Sequence, residues 1–192
     1  MRASHELRAP VDADDLVVLA AGDMVRLSGT IYTARDAAHQ RMADAIDRGD
    51  DLPFDPEGQI LYFTGPAPAR PGRPLGPAGP TTASRMDPWS PLLIARGLRL
   101  MIGKGRRGDE VRTAMRTHGC VYCSAVEGAA ALLADRVVAA EVVAYADLGP
   151  EAVHRLEVDG FPVTVVNDLD GNDLYEQGRA RWRRDIRGDA GG

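Results

Sequence analysis

Alternating hydrophobic and polar positions mark several short segments of the chain as β-strands. In residues 24–32, MVRLSGTIY, the apolar side chains Val25, Leu27 and Ile31 fall on one face, and mostly polar side chains fall on the other. Similar short segments, apolar and often β-branched or aromatic, predict further strands over residues 59–64, 98–102, 120–126, 137–145 and 161–166.

Segments with apolar residues at helical spacing lie between these strands. They predict helices over residues 36–48 and 109–118, ended by Gly49 and Gly119, with Thr33 as a candidate N-cap of the first helix. Shorter helices are predicted over residues 90–96, 128–134 and 150–156. Because strands alternate with helices, we predict an α/β fold in which helices cover a mixed or mainly parallel sheet.

The length of the chain, 192 residues, suits one domain with a substantial core. We interpret residues 1–21 as an N-terminal extension and residues 22–177 as the domain itself. Residues 178–192 are rich in arginine and lack apolar periodicity, so we predict a mobile tail there.

Charge and hydropathy argue against two classes of partner. The chain has 23 Lys and Arg residues against 28 Asp and Glu residues, and the net charge of −5 gives no electrostatic footprint for nucleic acid. No apolar run approaches the roughly 20 residues that span a bilayer, and residues 1–15 lack the apolar core of a secretory signal. We therefore predict a cytoplasmic protein that binds neither nucleic acid nor a membrane.

A loop with an unusual composition follows the strand predicted over residues 59–64. Residues 76–87, GPAGPTTASRMD, combine prolines and glycines with the hydroxyls of Thr81 and Thr82 and the guanidinium of Arg85. Proline removes an amide donor and glycine permits positive φ, so this segment cannot be an ordinary helix or a central strand. Two interpretations remain open: a surface linker, or a loop shaped to hold a ligand.

Two more cations stand where predicted strands end. Arg35 lies at a junction between a strand and a helix, and Lys104 lies between two glycines in GKG. Ligands in α/β folds collect at strand ends, and arginine and lysine there, together with Arg85, suit a small dianion. Each cation on its own could equally be a solvated surface residue. The GKG segment lacks the spacing of a nucleotide phosphate loop.

The only two cysteines, Cys120 and Cys123, lie in a predicted strand as CVYC. A buried pair in a strand is favoured over a redox pair, because the thiols do not begin a helix that would lower their pKa. Together with His118 they are one ligand short of a closed tetrahedral metal site. His39, four residues after Arg35, is interpreted as a surface histidine.

Five motifs occur in an order and spacing typical of one enzyme family. GDMVRLSGTIYTARDAAH, ILYFTGPAPARPG, GPAGPTTASRMD, MIGKG and FPVTVVNDLDGNDLY resemble the C-terminal half of class I fumarases and the β-subunit of L(+)-tartrate dehydratase, from about Gly22 to Tyr175. The resemblance implies a swivelling β/β/α domain and a higher oligomer. It also implies a partner, either an α-subunit or an N-terminal domain, that holds a [4Fe-4S] cluster whose iron acts as a Lewis acid.

The implied reaction adds water to, or removes it from, a four-carbon dicarboxylate. By the same resemblance, Arg35, Arg85 and Lys104 are ligands of the substrate carboxylates and Thr81 is the catalytic base; Thr82 is assigned to substrate binding. A threonine hydroxyl is a poor base at its normal pKa, so this role requires stabilisation of an alkoxide, for which Lys104 and loop amides are candidates.

The substrate stays open at this point. The family usually has a glycine pair before its Ala-rich helix, where this chain has Glu127 and Gly128. Fumarate and malate are favoured over tartrate. A non-catalytic module that binds a dicarboxylate is the alternative of another class.

Overall fold

The computed structural model describes residues 3–126 and 128–183 and has an α/β architecture. Its strands are β1 (Ser4–Ala9), β2 (Met24–Thr33), β3 (Ile60–Tyr62), β4 (Leu100–Gly103), β5 (Val121–Ser124), β6 (Val137–Ala144) and β7 (Val153–Asn167). Its helices are α1 (Ala13–Val17), α2 (Asp36–Arg48), α3 (Ser90–Ile94), α4 (Asp109–His118), α5 (Ala130–Ala134) and α6 (Leu174–Trp182), with 3-10 helices over Ala83–Met86 and Ala146–Glu151.

The strands form one mixed sheet in the order β1-β2-β3-β4-β5-β7-β6, with a further pairing between β2 and β7. Strands β1 to β5 pair with one another in parallel, and β7 is antiparallel to β2, β5 and β6. Strands β2, β3, β4, β5 and β7 therefore make a closed circuit of pairings. Because β2 to β5 run in parallel, their carboxyl ends lie at one edge, where ligands of such sheets collect.

Successive side chains of a strand point to opposite faces of the sheet, and both faces are buried here. On one face, Val25, Leu27 and Ile31 of β2 pack with alternate residues of β3, β4, β5 and β7. On the other face, Leu61 and Met101 pack with apolar residues of the helices α2, α3 and α4. The predicted α/β class with a mixed sheet and helical cover is confirmed.

The amphipathic helices are the best predicted elements. Helices α2 and α4 have the predicted bounds, and Gly49 and Gly119 follow them with φ values of 74° and 73°. The predicted N-cap was wrong: Thr33 still belongs to β2, and Arg35 is the N-cap residue of α2 without a side-chain capping bond. The side chain of Glu151 accepts the backbone N–H of Ala37 instead, at 3.0 Å.

Three segments differ from the interpretation of the sequence. Within residues 1–21, β1 pairs with β2 and α1 buries Leu16, so both belong to the folded sheet and its core. The helix predicted over residues 150–156 is wrong, because residues 153–156 begin β7, which pairs with both β2 and β6. In the predicted tail, α6 includes residues 178–182, and residues 184–192 lie outside the described residues.

No helix in residues 3–126 and 128–183 has the length and apolar character needed to cross a bilayer.

Candidate active site

The loop of residues 76–87 is hydrogen-bonded into the edge of the sheet where β3 and β4 end. The backbone N–H of Thr81 donates to the carbonyl of Phe63 at 2.7 Å, and the N–H of Lys104 donates to the carbonyl of Thr81 at 3.2 Å. The N–H of Ala83 donates back to the carbonyl of Lys104 at 2.8 Å. The loop thus extends the parallel ladder between β3 and β4 and is not a loose surface linker.

Side chains of β3 and the residues after it fix the first half of this loop. The hydroxyl of Tyr62 donates to the carbonyl of Ala78 at 2.6 Å, and that of Thr64 donates to the carbonyl of Gly79 at 2.7 Å. At the end of β4, a Cβ on Gly103 would lie 2.9 Å from the ring of Phe63. Glycine is needed there because the loop and the strand approach so closely.

The two predicted substrate arginines meet at one carboxylate. Arg85 Nε donates to Asp36 Oδ1 at 2.7 Å, and Arg35 Nε donates to Asp36 Oδ2 at 3.2 Å. Arg35 Nε also lies 3.3 Å from Glu151 Oε1. The structure therefore brings Arg35, from the end of β2, together with Arg85, from the 3-10 helix of the loop.

Asp36 is held in its charged form. Burial by itself would raise the pKa of Asp36, but a hydrogen bond from its own backbone amide and one from Arg35, with the charges of Arg85 and Arg35, hold that pKa below its usual range. The Asp36 side chain is 26% exposed and that of Arg85 is 50% exposed, so water and a ligand can reach this cluster.

A cavity of about 550 Å³ opens beside Lys104. Thr82, Lys104, Ser124 and Tyr175 line it, whereas Thr81, Arg35 and Arg85 do not. The predicted residues thus fall into two neighbouring groups, with Thr82 and Lys104 in the cavity and the two arginines on Asp36. Thr81 lies between Phe63 and Lys104 and is hydrogen-bonded to both through its backbone.

A buried arginine beneath the loop was missed by the analysis of the sequence. Arg107 Nε donates to Asp87 Oδ1 at 2.8 Å, and Nη2 donates to Ser90 Oγ at 2.6 Å. Its guanidinium lies 5.2 Å from the centre of the Phe63 ring and 5.3 Å from that of Tyr122. Asp87 ends the GPAGPTTASRMD segment, so this ion pair anchors the loop to the segment after β4.

The interpretation of His39 as a surface histidine was wrong. His39 is 1% exposed because it lies on the buried side of α2, with its ring 5.3 Å from that of Phe63. Burial lowers the pKa of His39 to about 4, so the ring is neutral at pH 7. Its Nδ1 pairs with the carbonyl of Arg35 at 3.1 Å, which helps to fix the junction where Arg35 lies.

The cysteine pair lies where a buried strand was predicted. Cys123 is part of β5 and Cys120 directly precedes it; both are free and fully buried. Burial raises the pKa of Cys120 to about 12, against smaller opposite effects of Arg107 and Arg99, and burial also raises the pKa of Cys123. Both thiols are protonated at neutral pH, which does not suit a metal ligand.

The residues of the chain that the structure describes do not fit an iron-sulfur cluster. Among residues 3–126 and 128–183, no group of three or more His, Cys, Asp or Glu side chains is placed to hold a metal ion. Iron-sulfur clusters are held by cysteine thiolates, and neither buried thiol offers one.

Comparison with known proteins connects this site to a family. A model of the family described as Fumarase C-terminus matches residues 3–178. The chain is 40% identical over 153 residues to the anaerobic class I fumarate hydratase of Escherichia coli K12, covering 79% of this chain and 28% of that protein. It is 42% identical over 153 residues to the mitochondrial fumarate hydratase 1 of Leishmania major, with the same coverage of 79% and 28%. The chain thus spans less than a third of the length of these fumarate hydratases.

A shorter relative is similar over most of its length. The chain is 38% identical over 169 residues to a putative L(+)-tartrate dehydratase subunit beta of Methanocaldococcus jannaschii, covering 85% of this chain and 87% of that subunit.

Proposed function

Since this chain belongs to the Fumarase C-terminus family, we propose that it is the β-subunit of a hydro-lyase that adds water to, or removes it from, a four-carbon dicarboxylate. The relative that the chain nearly spans is named a subunit beta, and the matched segment makes up only 28% of the fumarate hydratase. Both observations support a chain that acts with a second, cluster-bearing α-subunit.

The proposal rests on one observation. Residues from three of the sequence motifs are joined by backbone hydrogen bonds at the carboxyl ends of β3 and β4. Phe63, Thr81 and Lys104 are joined by successive backbone hydrogen bonds of 2.7 and 3.2 Å. A surface linker would not need these hydrogen bonds. A site that must present a hydroxyl and an ammonium group to one small substrate does need them, because catalysis depends on fixed relative positions.

Each residue has a role in the proposed reaction. Arg35, Arg85 and Lys104 bind the two carboxylates of the substrate, and the Thr82 hydroxyl, which lines the cavity, donates to it. Thr81 accepts the proton that leaves carbon during dehydration and returns it during hydration. This role requires stabilisation of the ionised Thr81 hydroxyl, and we propose the loop amides and the ammonium of Lys104 for it; Lys104 pairs with Thr82 in the ladder and is bonded to Thr81 through the backbone.

We assign the [4Fe-4S] cluster to the α-subunit. The lack of a fitting ligand set in the described residues of this chain supports that assignment. We further propose that the domain, which includes β1 and α1, is of the swivelling β/β/α type, that the assembly is a higher oligomer, and that it works in the cytoplasm.

Fumarate and malate are the favoured substrates. Sequence identity does not separate the substrates, because the fumarate hydratases range from 36% to 42% and the tartrate dehydratase subunit, at 38%, lies within that range. Tartrate is the alternative substrate, and a non-catalytic dicarboxylate-binding module is the alternative function.

Anaerobic co-expression with a cluster-bearing α-subunit tests the proposal. We expect the reconstituted pair to hydrate fumarate, and the isolated chain to fold without iron-sulfur absorption and without activity. Assays with fumarate, L-malate and L(+)-tartrate identify the substrate. Robust fumarate hydration by this chain alone, without iron, would contradict the subunit assignment, and a pair that binds these acids without turnover would favour the non-catalytic module.

A further inference from the structure

We infer that Asp36 is a positioning residue that holds the two substrate arginines by their Nε atoms and leaves their outer nitrogens for the substrate. The inference rests on the proposed function for the identity of the ligand. Its geometric basis is independent of that function, because it concerns contacts within this chain.

The two oxygens of Asp36 are divided between the two arginines. Oδ1 accepts from Arg85 Nε at 2.7 Å, and Oδ2 accepts from Arg35 Nε at 3.2 Å. A guanidinium has five N–H donors, and only one of them is on Nε. Within the described part of the chain, the side-chain hydrogen bonds of Arg35 and Arg85 both use Nε, and Nε is also the nearest guanidinium atom in their ion pairs. The Nη1 and Nη2 atoms of both side chains are thus left to form the planar fork that matches a carboxylate.

Space beside Arg35 is kept open by a glycine. A Cβ on Gly65 would lie 3.0 Å from the carbonyl oxygen of Pro150 and 3.2 Å from Arg35 Cδ, which is tighter than ordinary van der Waals contact, and 3.4 Å from Arg35 Nη1. Gly65 follows β3 in the FTGP segment, so the sheet edge that carries Thr81 also leaves room at the Arg35 fork.

An opposite interpretation is that Asp36 mimics a substrate carboxylate and competes with it. The backbone argues against this, because Asp36 is the first residue of α2, a helix of 13 residues. A carboxylate at a helix N-terminus is stabilised by the helix dipole, and the hydrogen bond from its own amide holds it in place. A substrate would have to displace a charge that is fixed by its own helix, whereas the Nη atoms can be reached without any displacement.

The two interpretations predict opposite effects of Asp36→Asn. Asparagine keeps the size of the side chain but offers one acceptor oxygen, and its NH₂ group faces one arginine as a second donor. If Asp36 positions the arginines, the KM of the reconstituted enzyme for fumarate and L-malate should rise on the order of 10-fold to 100-fold, as expected for loss of a hydrogen bond to a charged group. The temperature of unfolding should fall by only a few degrees, because the lost charge is partly exposed and its interactions with the helix dipole and the arginines are weak in water.

Asp147→Asn is the matched control. Asp147 accepts from Arg41 Nη1 at 2.7 Å and thereby pairs with the same helix α2, but it belongs to the 3-10 helix Ala146–Glu151 and touches neither substrate arginine. This variant should keep the KM of the wild type. An unchanged KM in Asp36→Asn, or a lower KM that indicates relief of competition, would overturn the inference.

A second measurement separates failure of this inference from failure of the proposed function. In the isolated ¹⁵N-labelled chain, the Nε–H resonances of Arg35 and Arg85 should show the downfield shift of a hydrogen bond to carboxylate, and should lose it in Asp36→Asn but not in Asp147→Asn. If the reconstituted wild type is inactive on all three acids, the proposed function fails and the resonances still test the contact. Resonances unmoved by Asp36→Asn would overturn the positioning role.

Discussion

Two arginine–carboxylate pairs lie beside the loop of residues 76–87. They differ in how many nitrogens of the arginine side chain contact other protein atoms. Arg107 is 0% exposed in its side chain, and its Nε, Nη1 and Nη2 contact Asp87, the sulfur of Met101 and Ser90 respectively. Arg85 is 50% exposed and contacts Asp36 through Nε alone. Both arginines stand near the same loop, but only one has donors left for a ligand.

From this difference we assign Arg107 to the fold and propose Arg85 for binding of the substrate. A buried guanidinium must have its donors satisfied, since an unpaired buried charge is strongly unfavourable. Arg107 therefore belongs to the fold, where it joins the loop to the segment after β4. Arg85 lies where water still satisfies its outer nitrogens, and a substrate carboxylate can take the place of that water.

The largest expected effect on stability is that of Arg107→Met. It removes the guanidinium between Phe63 and Tyr122 and leaves the Asp87 carboxylate without its partner, so the free energy of unfolding should fall by about 3–5 kcal/mol. Urea denaturation of the isolated chain measures it. The double variant Arg107→Met with Asp87→Asn should recover part of the loss, because no unpaired charge remains. A loss below about 1 kcal/mol in the single variant would show that the pair does not anchor the loop.

Arg85→Ala should show the reverse pattern, with a large kinetic effect and a small effect on stability. Loss of a desolvated contact to a substrate carboxylate costs about 2–5 kcal/mol, or roughly 30-fold to several thousand-fold in kcat/KM of the reconstituted enzyme. Arg85→Lys keeps the charge without the planar fork and should lie at the low end. Asp36 keeps Arg35 as a partner, so unfolding should change by no more than about 1 kcal/mol. Wild-type kinetics in Arg85→Ala would remove this residue from the site.

The sequence predicted those parts of the fold that depend on local patterns. Helices α2 and α4 have amphipathic spacing and a glycine at each end, so their bounds could be predicted from their own residues. Strand β1, SHELRA, has little apolar pattern, and it exists because its backbone pairs with β2. The first residues of β7 follow Pro150 and Glu151 and looked helical, but pairing with two neighbouring strands decides their conformation. Pairing between distant segments overrides local preference in both cases.

For the same reason, the sequence predicted the candidate residues of the site but not their contacts. The motifs identified Arg35, Arg85 and Lys104 as candidate ligands, but a sequence does not show which carboxylate each cation meets. Arg106 and Arg107 are adjacent in sequence, and nothing in GKGRRGD indicates that only the second is buried.

The smallest expected effect is that of Arg155→Ala, which serves as the matched control for Arg85→Ala. Arg155 is 52% exposed and its Nε lies 2.9 Å from Glu141 Oε1, so its exposure and its ion pair with one carboxylate resemble those of Arg85. It lies on β7, opposite Glu141 of β6 and Tyr32 of β2.

Unpaired donors alone would make Arg155 a binding residue. It pairs with Tyr32 near the carboxyl end of β2, but its ion pair is with Glu141 of β6 and not with a residue of the loop or with Asp36. The variant should lower the free energy of unfolding by at most about 1 kcal/mol, as for other exposed ion pairs, and leave kcat/KM within about twofold of the wild type. Urea titrations of the two alanine variants measure the free energy of unfolding, and fumarate assays of both measure kcat/KM. If Arg155→Ala lowers kcat/KM as much as Arg85→Ala does, the kinetic loss reflects removal of any half-exposed arginine. Pairing with Asp36 beside the loop would then no longer distinguish a binding arginine from a surface one.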